Sequence, residues 1–184
     1  MVTDPRLKDL SKFMSYLLRH NPKEFAIDLD AEGFASIEEL LPVLRKRIPD
    51  ASKQDIQSVV ERVEPEKRRF EIVGNEIRAN YGHSLPSRIR HQAGKPPAVL
   101  YHGTADHAWP GISRTGLRPM SRQYVHLTTK KDVAMRIGAR HGRPCVLSVD
   151  AATAHRDGIT FYKANDAFWL VDALPPGYVT RATA

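Results

Sequence analysis

Arg19 and His20 stand side by side at the end of an amphipathic segment, and far along the chain Lys67, Arg68 and Arg69 lead into Phe70. An arginine keeps its charge at any physiological pH and offers a planar fork that binds two phosphate oxygens at once. A histidine, with an unperturbed pKa near 6.5, can deliver a proton at neutral pH. Two such groups drawn from distant stretches suggest a site for a phosphate. Each also has a simpler reading, since cations at a helix C-terminus interact favourably with the helix dipole and Lys67 to Arg69 could be a solvated approach to a strand. Arg69 carries more weight because it precedes Phe70. The aromatic ring can anchor in a core while the arginine projects from the opposite face at a fixed position.

The second half offers Tyr101-His102-Gly103-Thr104, then Ser121-Arg122-Gln123-Tyr124-Val125-His126-Leu127, then Arg140. Taken singly, His102 and His126 could be satisfied strand-end histidines and Arg122 an ordinary loop arginine. Neither Gly-x-Gly-x-x-Gly nor a phosphate loop ending in Gly-Lys-Ser/Thr occurs, which removes the main support for hydride transfer and for nucleotide hydrolysis. His102, His126, His141 and His155 come from separate elements and there is no second cysteine, so no metal is expected.

The balance of 28 Lys+Arg against 21 Asp+Glu, with a pI near 9.7, describes a surface that attracts polyanions in a salt-dependent way. RNA, DNA and a dinucleotide all qualify. Cys145 stands alone among apolar neighbours and reads as a small core residue in a reducing compartment. No apolar stretch approaches membrane-spanning length and the N-terminus is charged. The expectation is a cytoplasmic monomer without a membrane segment.

To position these residues the chain needs two small units. Leu7, Leu10, Phe13, Met14, Leu17 and Leu18 recur at helical spacing behind Asp4-Pro5, a cap and a first-turn proline. A second helix starts at Ser36, with Glu39 to complete a capping box. A third starts near Ser52 and buries Ile56, Val59, Val60 and Val63. Arg69 to Val73 and Glu76 to Ala79 read as a hairpin around Gly74-Asn75. Three helices and a hairpin is the order of a winged helix, although the mixed charge of the third helix argues against duplex DNA binding. Pro86, Gly94, Pro96 and Pro97 place a basic linker over residues 84–97, with Arg88, Arg90, His91 and Lys95. Beyond it, strands are expected at 99–101, 125–128, 145–150, 158–162 and 168–171, ending at Pro175-Pro176. A short helix is expected at 108–113, and a longer one at 130–141 with Val133, Met135 and Ile137 partly buried. The expected fold is α+β, with a winged-helix lobe over residues 1–92 that binds RNA or phosphate and a strand-rich lobe over residues 93–184.

Leu18-Arg19-His20, Lys67-x-Arg69-Phe70, Gly82-His83-Ser84, Tyr101-His102-Gly103-Thr104 and Ser121-Arg122-x-x-Val125-His126-Leu127 occur in the order of the RNA 2′-phosphotransferase family. The similarity runs through Gly138-x-Arg140 to Trp169-Leu170-Val171-Asp172. Each motif is weak, but five in register make coincidence improbable. The chain resembles these enzymes, which remove an internal RNA 2′-phosphate with NAD⁺. One departure is a slightly longer stretch between Arg19 and Arg69, with residues 47–51 as the loop insertion.

The resemblance implies an ADP-ribosyltransferase-like second lobe that consumes NAD as co-substrate, and an RNA partner bearing an internal 2′-phosphate, tRNA among them. It implies that Arg19, His20, Arg69 and Arg122 surround the phosphate. His102, Gly103 and Thr104 would hold the nicotinamide-ribose end, with His126 second and Val146 third in the transferase triad, Arg140 on the pyrophosphate and Lys67 on the RNA backbone. The phosphate would attack the ribose, expelling nicotinamide. The ribose 2″-hydroxyl would then attack the phosphate, releasing repaired RNA and ADP-ribose 1″,2″-cyclic phosphate. Two other classes stay open at this point: a nucleic-acid-binding regulator with a degenerate transferase lobe, and an ADP-ribosyltransferase acting on a terminal phosphate or a protein.

Overall fold

The computed structural model describes residues 4–61 and 68–182 and divides into two compact units, Met1–Arg90 and His91–Ala184. In the first, helix α1 (Pro5–Arg19) begins where the Asp4 side chain accepts the Arg6 backbone N–H, and its apolar stripe, Leu7 through Leu18, is buried throughout. Helices α2 (Ile37–Arg47) and α3 (Lys53–Glu61) pack against it. Ser36 caps α2 through the Glu38 N–H at 3.2 Å, rather than through the more distant N–H of a full capping box. The reciprocal box belongs to α3. Ser52 Oγ accepts from the Asp55 N–H, and the Asp55 carboxylate accepts from the Ser52 N–H at 2.9 Å. The same carboxylate takes two bonds from Arg6, fastening α1 to α3.

Strand β1 (Phe34–Ser36) was not expected from the sequence, since three residues are too few to show an alternation. It adds to the hairpin of β2 (Phe70–Val73) and β3 (Glu76–Ala79), giving an antiparallel sheet in the order β1-β3-β2. Ile48 and Ala51, in the loop over residues 47–51, are both buried in this unit's core. Val63 and Lys67 lie outside the described residues.

The second unit is a six-stranded antiparallel sheet of β4 (Val99–Ala105), β5 (Val125–Thr128), β6 (Pro144–Asp150), β7 (Phe161–Lys163), β8 (Phe168–Val171) and β9 (Val179–Arg181), in the order β7-β8-β5-β4-β6-β9. Several elements differ from expectation, among them β7, which is Phe161–Lys163 rather than 158–162. The chain does not stop pairing at Pro175-Pro176 but turns there and returns as β9 along β6. A short helix α6 (Ala151–Arg156) follows β6, capped by Asp150. Helix α4 is Trp109–Thr115, closed by Gly116 at φ 79°, and α5 is Lys131–Gly138, shorter than the expected 130–141. Its buried face is Ala134 and Gly138, and Met135 is exposed. This face is built from small residues because the helix lies directly on β4. An ideal Cβ on Gly103 would fall 1.9 Å from the Ala134 carbonyl oxygen, and one on Gly138 would fall 2.6 Å from that of Thr104.

The stretch expected as a linker is bonded down along its length. Within the first unit the Ser84 N–H bonds the Arg19 carbonyl, the Arg90 N–H bonds that of Ala31, and Ile89 is buried; within the second, the Gly94 N–H bonds the Phe161 carbonyl. Proline and glycine density marks irregular backbone, which is not the same as loose backbone. Among the described residues no helix is long and apolar enough to cross a membrane.

Candidate active site

The first unit gathers its cations at the C-terminus of α1. Arg19 is the last residue of that helix, and its guanidinium lies over the rings of Tyr81, at 5.1 Å, and Phe70, at 5.7 Å. One guanidinium nitrogen reaches the Arg69 carbonyl at 3.4 Å, a long hydrogen bond. Arg69 is held from the other side by Asn80, whose backbone N–H donates to the same carbonyl at 2.8 Å and whose side-chain amide donates to Arg68. Phe70 is buried and opens β2, and Arg69, just before the strand, is exposed. His20 caps α1 with its backbone N–H on Tyr16, and its Nδ1 lies 2.8 Å from Ser84 Oγ. Arg19, His20 and Arg69 thus share one neighbourhood although α2 and α3 intervene between them in sequence.

In the second unit His102, Gly103 and Thr104 do not follow a strand but form the downstream half of β4. That half pairs on one side with β6, Gly103 opposite Val146. On the other side, pairing with β5 is confined to Tyr101 opposite Thr128. The ladder ends there, and His102 Nδ1 donates across the gap to the His126 carbonyl at 2.9 Å. A carbonyl can only accept, so the proton sits on Nδ1 and Nε2 carries the lone pair. Burial pushes the His102 pKa down, more than the bond to the His126 carbonyl raises it, and nearby His141 also lowers it. The ring is therefore a neutral acceptor at physiological pH, suited to a sugar hydroxyl.

Strand alternation sorts the remaining residues. The Tyr101–Thr128 and Gly103–Val146 pairs put Gly103, His126 and Val146 on the sheet face that α5 covers, with His102 and Thr104 on the other. Arg122 is exposed in the bend before β5, and Arg140 is exposed just after α5. Burial pushes the Cys145 thiol up, which keeps it protonated and poorly nucleophilic. Tyr81 and Asn80 belong to no motif in the sequence, and Ser84 stands in Gly82-His83-Ser84 without a role of its own. The one local signal for Tyr81 and Asn80 was their place just before that motif.

The family model described as "RNA 2'-phosphotransferase, Tpt1 / KptA family" matches residues 5–173. A protein of Thermococcus kodakarensis described as a "Probable RNA 2'-phosphotransferase" is 42% identical over 179 residues, covering 97% of this chain and 98% of its own. One from Pyrococcus horikoshii with the same description is 46% identical over 167 residues, 90% of this chain and 93% of its own. Acetivibrio thermocellus has another at 43% identity, covering 92% and 94%. With the match extending through both units and through every motif quoted above, the chain belongs to the RNA 2′-phosphotransferase family.

Proposed function

We propose that this protein removes an internal RNA 2′-phosphate by transferring it to NAD⁺, through a phospho-ADP-ribosylated RNA. The observation that supports the reading is that Arg19 and His20 end one helix and that the Arg19 guanidinium meets the Arg69 main chain there. In this reading Arg122 completes the set that holds the phosphate, and Lys67 contacts the RNA backbone. We read the first unit, with its order α1-β1-α2-α3-β2-β3, as a winged helix and the second unit as ADP-ribosyltransferase-like.

The nucleotide falls to the second unit. The gap beyond Tyr101 leaves a strand edge against which the nicotinamide carboxamide pairs with the Gly103 backbone, while His102 Nε2 accepts from a ribose hydroxyl and Thr104 lies beside it. His126 lines the same end of the sheet, Val146 takes the apolar third place, and Arg140 binds the pyrophosphate. An apolar residue suits that place because the RNA phosphate is already anionic and needs no base to activate it. In the first step a phosphate oxygen bonds the ribose anomeric carbon, and nicotinamide leaves as a neutral molecule with the electron pair of its bond. In the second the ribose 2″-oxygen bonds phosphorus and the RNA 2′-oxygen departs. The proton lost from the 2″-hydroxyl is balanced by one that His20 delivers to the RNA oxygen. The arginines stabilise the charge that gathers on phosphorus during this exchange. No metal takes part, the enzyme acts as a cytoplasmic monomer, and tRNA is one candidate substrate.

The test is incubation with NAD⁺ and an oligonucleotide bearing one internal 2′-phosphate. Dephosphorylated RNA together with ADP-ribose cyclic phosphate is the expected outcome. A stable ADP-ribosylated product would make the protein a transferase of another kind, and no consumption of NAD⁺ would sink the proposal.

A further inference from the structure

Tyr81, Gly82 and Ser84 all meet the end of α1. Tyr81 covers the Arg19 guanidinium at 5.1 Å. Gly82, at φ +92°, presents a bare α-carbon to it, so that a Cβ there would come within 3.5 Å of the Arg19 side chain. The Ser84 N–H binds the Arg19 carbonyl at 3.0 Å, one of the helix-end carbonyls that lack a partner within the helix. The Ser84 hydroxyl lies 2.8 Å from His20 Nδ1.

We propose that Ser84 is a positioning residue for His20, holding Nδ1 so that Nε2 is the nitrogen that serves the substrate. This rests on the role given to His20 above. A hydroxyl suits the task because it both donates and accepts. It donates to the Nδ1 lone pair of the neutral ring and accepts from Nδ1–H of the imidazolium, so His20 keeps its anchor while it gives up and regains the Nε2 proton. A carboxylate in its place would only accept and would favour the charged ring. The backbone bond from Ser84 to Arg19 does not involve the hydroxyl, so Ser84→Ala leaves the turn fastened and removes the one contact in question.

Two measurements test this, and the first needs neither substrate. Nitrogen-15 NMR of the histidine rings at about pH 8, where an ordinary imidazole is neutral, should show His20 protonated on Nε2 in the wild type and a tautomer mixture in Ser84→Ala. Rapid-quench time courses with NAD⁺ and 2′-phosphorylated RNA should then show the second step slowed about tenfold in Ser84→Ala, as for one neutral hydrogen bond. Formation of the intermediate should be unchanged, and Ser84→Thr should restore both readouts. A merely structural serine would slow both steps alike. A wild-type His20 protonated on Nδ1, or an unchanged second step in Ser84→Ala, would overturn the inference. If no NAD⁺-dependent step occurs at all, the proposed function fails while the tautomer result still decides the Ser84 contact.

Discussion

Replacing Gly103 with alanine separates two reasons for a glycine at this position. If the residue is small only so that its backbone can reach a ligand, the substitution should leave the apo-protein intact. The geometry says otherwise. The added Cβ would lie 1.9 Å from the Ala134 carbonyl oxygen and 2.7 Å from its carbon, both backbone atoms that cannot swing aside. Restoring ordinary contact requires α5 and β4 to separate by about 1.5 Å, and Gly138 sitting on Thr104 gives the helix a second point of contact that hinders tilting. Overpacking of this kind costs about 3 kcal/mol, at the upper end for a buried methyl group. For a unit of this size that lowers Tm by roughly 12–24 °C. Thermal unfolding followed by circular dichroism without NAD⁺ reads the effect directly. Gly111→Ala is the control, because it lies in α4 with nothing within 4 Å of its Cβ, and it should be neutral or slightly stabilising. If Gly103→Ala unfolds at the wild-type temperature, the close approach of α5 is not what keeps this position a glycine and the packing argument is wrong.

Arg6 holds the Asp55 carboxyl down at about 2 against an ordinary 3.8, so its contribution to stability is complete above pH 3.8 and is lost as the pH falls toward 2. Asp55→Asn should cost about 1 kcal/mol in urea unfolding at neutral pH, a modest figure because the pair is partly open to solvent, and the gap from wild type should close near pH 2. His102 has its folded pKa depressed by burial. The unfolded chain therefore binds the extra proton first, and stability should decline as pH drops below the ordinary histidine value of about 6.5, a slope that His102→Asn should abolish. Arg69→Ala and His20→Ala should accumulate the ADP-ribosylated intermediate, slowing the second step on the order of a hundredfold, about 3 kcal/mol. His102→Ala should instead depress formation of the intermediate, and cluster variants that lose only RNA affinity would refute this division. If the basic stretch of Arg88, Arg90 and Lys95, with Lys67, contacts the RNA backbone, RNA affinity should fall with salt by a slope of roughly 0.7 per phosphate neutralised on a single strand, and a flat response would remove Arg88, Arg90 and Lys95 as backbone contacts.

What could be read from the sequence follows the range over which each signal acts. The stripe from Leu7 to Leu18 announces α1 because helical spacing repeats often enough to be unmistakable, and each of its members is buried. The strand β1 and the return strand β9 have three residues each, and their existence depends on a partner already in place: β3 in one case, β6 in the other. Helix α5 is shorter than the expected 130–141; Val133 and Ile137 are half-buried as expected, whereas Met135 is exposed. Its closest approach to β4 runs through the small pair Ala134 and Gly138, and hydrophobicity does not register the absence of a side chain.

The candidate site divides along the same line. Arg19, His20 and Arg69 could be named because their charge and order are local properties of the chain. What surrounds them could not, since Tyr81 becomes a cover for Arg19 only after the hairpin of β2 and β3 carries it back to the end of α1. His102 makes the same point in the other unit. Its place before Gly103 was visible, yet the proton on Nδ1 is set by the carbonyl of His126, on the strand across the gap. Residue identity can mark a histidine as able to act, but which of its nitrogens accepts is decided by a neighbour that the fold alone supplies.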